Sequence, residues 1–150
     1  MNSGGGQSFT DNSIDRFAKA CSMVKQSQDI NIPVVDYAFS ILDKVSQEDW
    51  TKWSIVYDLT NKKINFKSQA FTKIKTISFS SFDFSCSAGS KMFNINQNTE
   101  GEVSASFKNF SIDESRPILE TAVKESSSQV PISEKTREAI LNYSRGIKCK

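Results

Sequence analysis

The sequence feature that most constrains the fold is a run of alternating apolar and polar residues from Thr51 to Lys67. In its first half the apolar side chains recur at every second position, at Trp53, Ile55, Tyr57 and Leu59. The alternation resumes at Ile64 and Phe66, after a polar Thr-Asn-Lys-Lys segment. Period-two patterning with β-branched and aromatic residues is typical of half-buried strands. We therefore predict a hairpin whose two strands share one apolar face.

Helical periodicity precedes the hairpin. Asn12 or Ser13 is expected to cap a first helix. An apolar stripe follows the cap at three- and four-residue steps, at Ile14, Phe17, Cys21 and Val24, with Ala18 beside it. Pro33 suits the first turn of a second helix. The stripe of this second helix consists of Val35, Ala38, Phe39, Leu42 and Val45. Both stripes predict faces that pack against a core.

Short strands and two further helices are predicted after the hairpin. The strands are expected at residues 73–79, 92–95 and 102–107, with a loop at 85–90. Pro117 is expected to open a third helix, and Ser133 to cap a fourth that Gly146 ends. In the fourth helix Ile140 and Tyr143 are expected to point inward.

The order of two helices, several antiparallel strands and two helices indicates an α+β fold, because the helices are segregated from the strands. The length of 150 residues fits one domain. We expect an irregular lead-in at 1–12, a single α+β domain at 13–145 and a tail at 146–150.

The charge balance gives no reason to expect nucleic acid as a partner. The chain has 19 basic and 17 acidic residues, a net charge of +2, whereas nucleic-acid-binding domains carry a basic face. Five lysines cluster near the hairpin, at Lys62, Lys63, Lys67, Lys73 and Lys75. Lysines commonly guard exposed strand edges, so solvated edges and turns are the favoured interpretation of this cluster.

Several kinds of site are excluded by residue type. The chain has no histidine, which removes Ser-His-Asp and Cys-His catalysis, the usual zinc sites and haem ligation by histidine. Gly4, Gly5 and Gly6 do not form a phosphate loop. The three cysteines, Cys21, Cys86 and Cys149, are too few and too far apart for a disulfide framework or a metal pair. We expect no cofactor and no metal.

No apolar run approaches the roughly 18 residues that a membrane-spanning helix needs. The first residues lack the charged and apolar regions of a signal peptide. As written, the chain is expected to stay in the cytoplasm where it is made, although an intact homologue could be exported, so the compartment is left open.

Three segments carry a resemblance to a known family. The first is Ser13-Ile14-Asp15-Arg16-Phe17 with Ala18-Lys19-Ala20, the second is Ala38 to Val45, and the third is Thr51 to Leu59 with Asn61-Lys62. In this order they resemble the C-terminal half of the choloylglycine hydrolase and penicillin V acylase family. The later segments 73–77 and 101–103 fit the same order. The likeness spans about residues 5 to 145.

The resemblance implies a fold and a chemistry. The fold would be the C-terminal half of an N-terminal-nucleophile (Ntn) hydrolase sandwich, in which two antiparallel sheets lie between helical layers. The family hydrolyses linear amide C–N bonds of small acyl amides with a cysteine at the mature N-terminus, whose α-amino group is the base. An arginine beside the thiol supports the thiolate, because a nearby cation lowers the pKa of a cysteine. By resemblance that arginine is Arg16.

The nucleophile implied by the family has no counterpart in this sequence. Position 2 is Asn2, Cys21 lies on the apolar stripe of the first helix, Cys86 lies in a serine-rich loop, and Cys149 is next to the last residue. The Asp and Asn residues that complete the family's site belong to its N-terminal half. The chain alone is therefore expected to be inactive.

Three functions remain open: the C-terminal part of an amide hydrolase that needs a separate N-terminal piece, a non-catalytic module that binds a partner through an exposed sheet, or a lone structural domain. Arg16 distinguishes them. It should face a cleft in a hydrolase half, whereas a surface arginine paired with an acid such as Asp15 is the ordinary interpretation without the resemblance. Half of a sandwich would expose one apolar sheet face, so a missing half or self-association is the expected partner.

Overall fold

The computed structural model of the chain describes residues 9–27, 31–47, 50–126 and 130–146. The helices are α1 (Phe9–Gln26), α2 (Val34–Lys44), α3 (Ile112–Ser126) and α4 (Glu134–Gly146). The strands are β1 (Trp53–Asp58), β2 (Lys63–Ser68), β3 (Lys75–Ser78), β4 (Lys91–Met92), β5 (Gly101–Glu102) and β6 (Lys108–Asn109). The α+β class is confirmed.

The predicted hairpin is confirmed as the antiparallel pair β1–β2, in which Ile55 lies opposite Phe66 and Tyr57 lies opposite Ile64. These four side chains therefore share one face, as the alternation indicated. Leu59 does not belong to it, because β1 ends at Asp58 and the 81% exposed Leu59 lies in the turn.

The sheet is mixed rather than antiparallel throughout. Its strand order is β1-β2-β3-β5, and β5 runs parallel to β3. The expected third strand is confirmed as β3, within 73–79. The strand expected at 102–107 is wrong beyond Glu102, because residues 104–106 form a 3-10 turn and β6 starts at Lys108. Of the strand expected at 92–95, only Met92 is in a strand, in a separate two-stranded sheet of β4 and β6.

The chain forms two compact units, one comprising the residues up to Ser81 with Ile95–Ser104, the other Phe82–Asn94 with Ala105 onward. The first unit holds α1, α2 and the four-stranded sheet, and its buried apolar side chains are Phe39, Phe66 and Val103. The expected domain at 13–145 stays a prediction.

The second unit contains α3, α4 and the small sheet. Its core includes Val123 and Leu141, and the Phe107 ring contacts those of Phe82 and Phe93 at centroid distances of 5.1 Å each. The inward positions predicted on α4 are wrong: Ile140 is 47% and Tyr143 73% exposed, because Leu141 occupies the buried face.

Helices α3 and α4 each begin after a serine whose hydroxyl accepts a backbone N–H of the first turn. The predicted Ser133 cap of α4 is confirmed, since its hydroxyl accepts the Thr136 N–H at 3.2 Å. Helix α3 begins at Ile112 rather than at Pro117, because the Ser111 hydroxyl accepts the Glu114 N–H at 3.3 Å. Ser111 and Glu114 have the spacing of a capping box. Helix α1 begins at Phe9, ahead of the expected caps Asn12 and Ser13 and inside the expected lead-in.

The apolar stripe predicted for α1 is largely exposed. Ile14, Phe17 and Val24 are 66%, 72% and 58% exposed, so the expectation that they pack inward is wrong. Helix α1 meets α2 through other groups: Arg16 Nε donates to the Val45 carbonyl at 2.7 Å, and the Tyr37 hydroxyl donates to the Met23 carbonyl at 2.6 Å. Two polar contacts therefore link α1 to α2.

Helix α2 covers the polar face of the sheet. Lys67 lies on that face opposite Ser54, its ammonium pairs with Asp43 of α2 at 2.8 Å, and it sits 5.2 Å from the Phe39 ring centroid. The apolar face, which carries Trp53, Ile55 and Tyr57, lies on the other side of the sheet.

Candidate functional site at Arg16

Arg16 lies on α1 at the point where the helix meets the end of α2. Its side chain is half-buried, and Nε donates to the carbonyl of Val45, the C-cap residue of α2. The last carbonyls of a helix have no partner within the helix and favour a cation. The bond to Val45 therefore fixes the guanidinium and completes the end of α2 at the same time.

A small cavity of about 160 Å³ opens at this point. Its lining consists of Asn12, Asp15, Arg16, Lys19 and Lys44. Three cations and one carboxylate surround it, so its local charge favours an anion. Since Nε holds the Val45 carbonyl, the two Nη groups are the part of the guanidinium that a bound anion would contact.

The structure brings none of the candidate thiols into the lining of this cavity. Cys21 is a free, half-buried thiol on α1, and its distance of five residues from Arg16 places it about 140° around the helix axis. Cys86 is disulfide-bonded, although the spacing of the three cysteines gave no reason to expect a disulfide. Cys149 and Asn2 lie outside the described residues.

The hairpin lysines do not form one patch. Lys67 pairs with Asp43 on the helix-covered face, and Lys73 pairs with Glu100 at 3.0 Å. Lys75 lies on the opposite face, across from Phe66. Lys62 lies in the hairpin turn. The interpretation of all five as solvated edge residues is therefore wrong for Lys67 and Lys75.

Lys75 is a residue that sequence reasoning placed wrongly. It is 0% exposed, and its Nζ has no hydrogen-bond partner in the part of the chain that the structure describes. The Phe71 ring centroid lies 5.9 Å away, and burial lowers the pKa of Lys75 below its ordinary value. The available signal was the alternation itself, which puts Lys75 on the same face as Ile77.

A second cavity, of about 190 Å³, lies on the sheet side of the end of α2, where Trp53, Lys67 and Asp43 contribute to its walls. Hydroxyl groups of Ser46 and Thr51 also line it. Its one cation, Lys67, and its one carboxylate, Asp43, pair with each other, whereas the cavity at Arg16 is lined by three cations and one carboxylate.

Shifted carboxyl groups lie elsewhere in the first unit. The Ser104 hydroxyl, and then Ser78, hydrogen-bond the Glu102 carboxylate and lower its pKa. The side chain and backbone of Asn61 lower the pKa of Asp58 in the hairpin turn. The Asp58 pKa shift comes from its own turn, whereas the Glu102 pKa shift comes from Ser104, two residues along the chain, and from Ser78 on β3.

Within the described residues there is no group of three or more His, Cys, Asp or Glu side chains placed to hold a metal ion. None of the described helices is long and apolar enough to cross a membrane. In the comparisons with known proteins, no family model, curated protein or solved structure matches the chain.

Proposed function

We propose that the chain is the C-terminal part of a linear amide C–N hydrolase of the choloylglycine hydrolase and penicillin V acylase type. In this proposal the nucleophilic cysteine comes from a separate N-terminal segment. The observation that supports it best is Arg16, whose guanidinium is anchored through Nε and lines a cavity rich in positive charge. The motif that suggested the family therefore coincides with a plausible anion site.

Arg16 would act on the thiol and on the reacting carbonyl. A guanidinium beside a cysteine stabilises the thiolate and lowers the thiol pKa. The same group stabilises the oxyanion of a tetrahedral intermediate when its donors are held in place before reaction. The bond from Nε to Val45 supplies that fixed orientation. A guanidinium anchored in this way supports the proposed role.

The arrangement of layers supports a half-sandwich. Helix α2 covers only the polar face of the sheet, through Lys67 and Asp43. On the other face Trp53 and Tyr57 of the edge strand are 56% and 61% exposed, whereas Phe66 and Lys75 of the inner strands are buried. In an αββα sandwich that face packs on a second sheet, which the N-terminal half would contribute. Exposed aromatic side chains on this face fit such a partner.

Complementation tests the proposal. The chain is mixed or co-refolded with the N-terminal half of a family member that begins with the cysteine. Hydrolysis of penicillin V, conjugated bile salts and N-acyl amides is then followed. We expect turnover from the mixture, and we expect Arg16→Gln to lower kcat by about 100-fold or more, in line with the loss of one oxyanion donor.

Lys19→Gln is the matched control, because Lys19 lines the same cavity from the same helix. It should retain most of the activity. Thermal melts of both variants separate catalytic loss from unfolding, since Arg16 also links α1 to α2. Complemented turnover that Arg16→Gln leaves unchanged would contradict the assigned role, and a mixture that binds tightly but stays inactive would favour the alternative.

The alternative is a non-catalytic module that binds a partner through the same sheet face. The exposed Trp53 and Tyr57 favour it directly, without any thiol. The two proposals differ in Arg16: a binding module needs it only for the link to Val45. In that case Arg16→Gln would lower stability but leave partner binding intact.

A further inference from the structure

Strand β1 is an edge of the four-stranded sheet. It pairs with β2 on one side, and no described strand pairs with its other side. The Gln69 N–H donates to the Lys52 carbonyl at 2.8 Å, so even-numbered positions direct their backbone groups to β2. In an antiparallel ladder the intervening residues point the opposite way. The N–H and C=O groups of Trp53, Ile55 and Tyr57 therefore point outward along the edge.

Within the strand itself, this edge carries none of the sequence features that usually protect one. Edge strands are normally blocked by a charge, a proline or a bulge. The segment Trp-Ser-Ile-Val-Tyr at 53–57 has none of these, and Trp53 and Tyr57 are more than half exposed. Its charges lie only at the two ends, Lys52 before the strand and Asp58 at its last position. The edge can thus accept a further strand.

We propose that a second copy of this chain occupies the edge, with the two β1 strands antiparallel about a two-fold axis at Ile55. Trp53 then lies opposite Tyr57 of the second copy, and Lys52 lies opposite Asp58 of the second copy. The outward-pointing residues 53, 55 and 57 become the hydrogen-bonded positions, each pair exchanging two N–H···O bonds. Opposite charges and aromatic pairs placed across strands stabilise such pairing.

The positions of the charges and the alternating direction of the backbone N–H and C=O groups favour this register. A shift by one residue would place outward-pointing residues opposite inward-pointing ones, so the backbone bonds would not form. A shift by two would place Lys52 opposite Val56 or Thr60 and leave the charges unpaired. Under a two-fold axis both Lys52–Asp58 pairs form at once. The contact is isologous, so assembly stops at the dimer.

Charge swapping tests the pairing. In the unmodified full chain, sedimentation from about 1 µM to about 1 mM should show a monomer–dimer equilibrium. Lys52→Glu and Asp58→Lys each place like charges opposite one another twice per dimer, and each should weaken self-association about tenfold. An equimolar mixture of the two variants restores opposite charges at both pairs and should dimerise as the unmodified chain does.

Asp58 also accepts hydrogen bonds from Asn61 in the turn, so Asp58→Lys carries a risk of unfolding. A second measurement avoids this. Opposed hydrogen-bonded positions have Cα atoms about 5.5 Å apart, within reach of a disulfide. In a Cys21→Ser background, Ile55→Cys should give a covalent dimer in air. Ser54→Cys, the matched control, should not, because position 54 lies opposite Val56.

Four outcomes overturn the proposal: a monomer at every concentration, open assemblies larger than a dimer, association unaffected by the charge variants, or equal cross-linking at positions 54 and 55. None of these depends on the proposed amide hydrolase. A dimer in this register would stand even where complementation gave no activity.

Discussion

Lys75 on β3 is held away from water, and its Nζ has no hydrogen-bond acceptor among the described residues. Lys75 is fully buried, and Phe66 lies opposite it in β2. The centroid of the Phe71 ring lies 5.9 Å from its ammonium. Transfer of a charged amine from water to such surroundings is unfavourable unless a partner compensates for it. The buried charge of Lys75 therefore lowers the free energy of unfolding, which an apolar side chain at this position would not do.

Replacing Lys75 with methionine should raise the stability of the protein. Lys75→Met keeps an unbranched side chain of similar volume and removes the buried charge, so we expect the free energy of unfolding to rise by about 1 to 4 kcal/mol. Lys73→Met is the control, because Lys73 is exposed and should change stability by less than about 0.5 kcal/mol. Urea denaturation measures both, and a clear loss of stability in Lys75→Met would argue against an uncompensated charge.

The buried amine also predicts a pH dependence. Burial lowers the pKa of folded Lys75 below the ordinary value of 10.5. Between the folded-state pKa and 10.5 the unfolded chain binds more protons, so the contribution of Lys75 to the free energy of unfolding rises with pH in that window. Below the folded-state pKa the buried ammonium destabilises the folded protein to its full extent. The advantage of Lys75→Met over the unmodified chain should therefore shrink as pH approaches 10, and an advantage that stays constant would contradict the shift.

At the scale of elements, the hairpin turn combines favourable hydrogen bonds with an unfavourable backbone conformation. Asp58 accepts the Asn61 N–H at 2.9 Å and its side-chain amide at 2.7 Å. Lys62 has a φ of 53°, in the left-handed region that disfavours residues with a Cβ atom. The hairpin register is thus held by Asp58 while Lys62 is strained.

A glycine at the strained position should stabilise the hairpin. Lys62→Gly relieves the left-handed backbone, and we expect a gain of about 0.5 to 1 kcal/mol after the greater chain entropy of glycine is counted. Lys63→Gly is the neighbouring control on β2, where glycine should cost about as much. Thermal melts of the two variants should therefore shift in opposite directions. Equal losses in both would show that the turn is not strained.

Helix α1 offers a second element-scale test. Ile14 and Phe17 are two-thirds or more exposed, so Ile14→Ser with Phe17→Ser should reduce the binding of a hydrophobic dye and change stability by less than about 1 kcal/mol. Phe39→Ser on α2 replaces a side chain that is 3% exposed, and should cost about 3 kcal/mol or more. A comparable loss in the α1 variant would mean that its apolar stripe is buried after all.

At the scale of the whole molecule, the chain carries few groups able to perform amide hydrolysis. It has no histidine, Cys21 is half-buried in a helix, and Cys86 is disulfide-bonded. An arginine such as Arg16 stabilises charge but does not replace a nucleophile and its base. The proposal therefore takes the nucleophile and its base from a second polypeptide segment.

The purified chain alone should show no turnover of penicillin V, conjugated bile salts or N-acyl amides above the uncatalysed rate. The physical reason is the lack of an activated thiol among Cys21 and Cys86. A product assay with and without a thiol-blocking reagent measures this. Turnover that the reagent abolishes would contradict the proposal that the nucleophile comes from a separate segment. It would indicate that a cysteine of this chain is the nucleophile.

Predictions that rest on neighbours in sequence and predictions about packing differ in outcome, and the reason is physical. The hairpin and the Ser133 cap depend on neighbours in sequence, and both were predictable from alternation and spacing. The exposure of the α1 stripe and the burial of Lys75 depend on which faces meet in space. The candidate site was predictable only as Arg16, because the sequence does not show that Val45 would take its Nε or that Lys44 would line the same cavity.

The sequence by itself determined the β1–β2 hairpin, the presence of the four described helices and the Ser133 cap of α4, since period two makes a strand, three- and four-residue steps make a helix, and a serine cap begins one. Tertiary structure alone decided the contacts. It turned the polar face of the sheet toward α2, placed β5 parallel to β3, and put β1 at the edge of the described sheet, with Lys52 and Asp58 at its ends. Periodicity states which residues share a face, but only packing between distant segments states which face is covered.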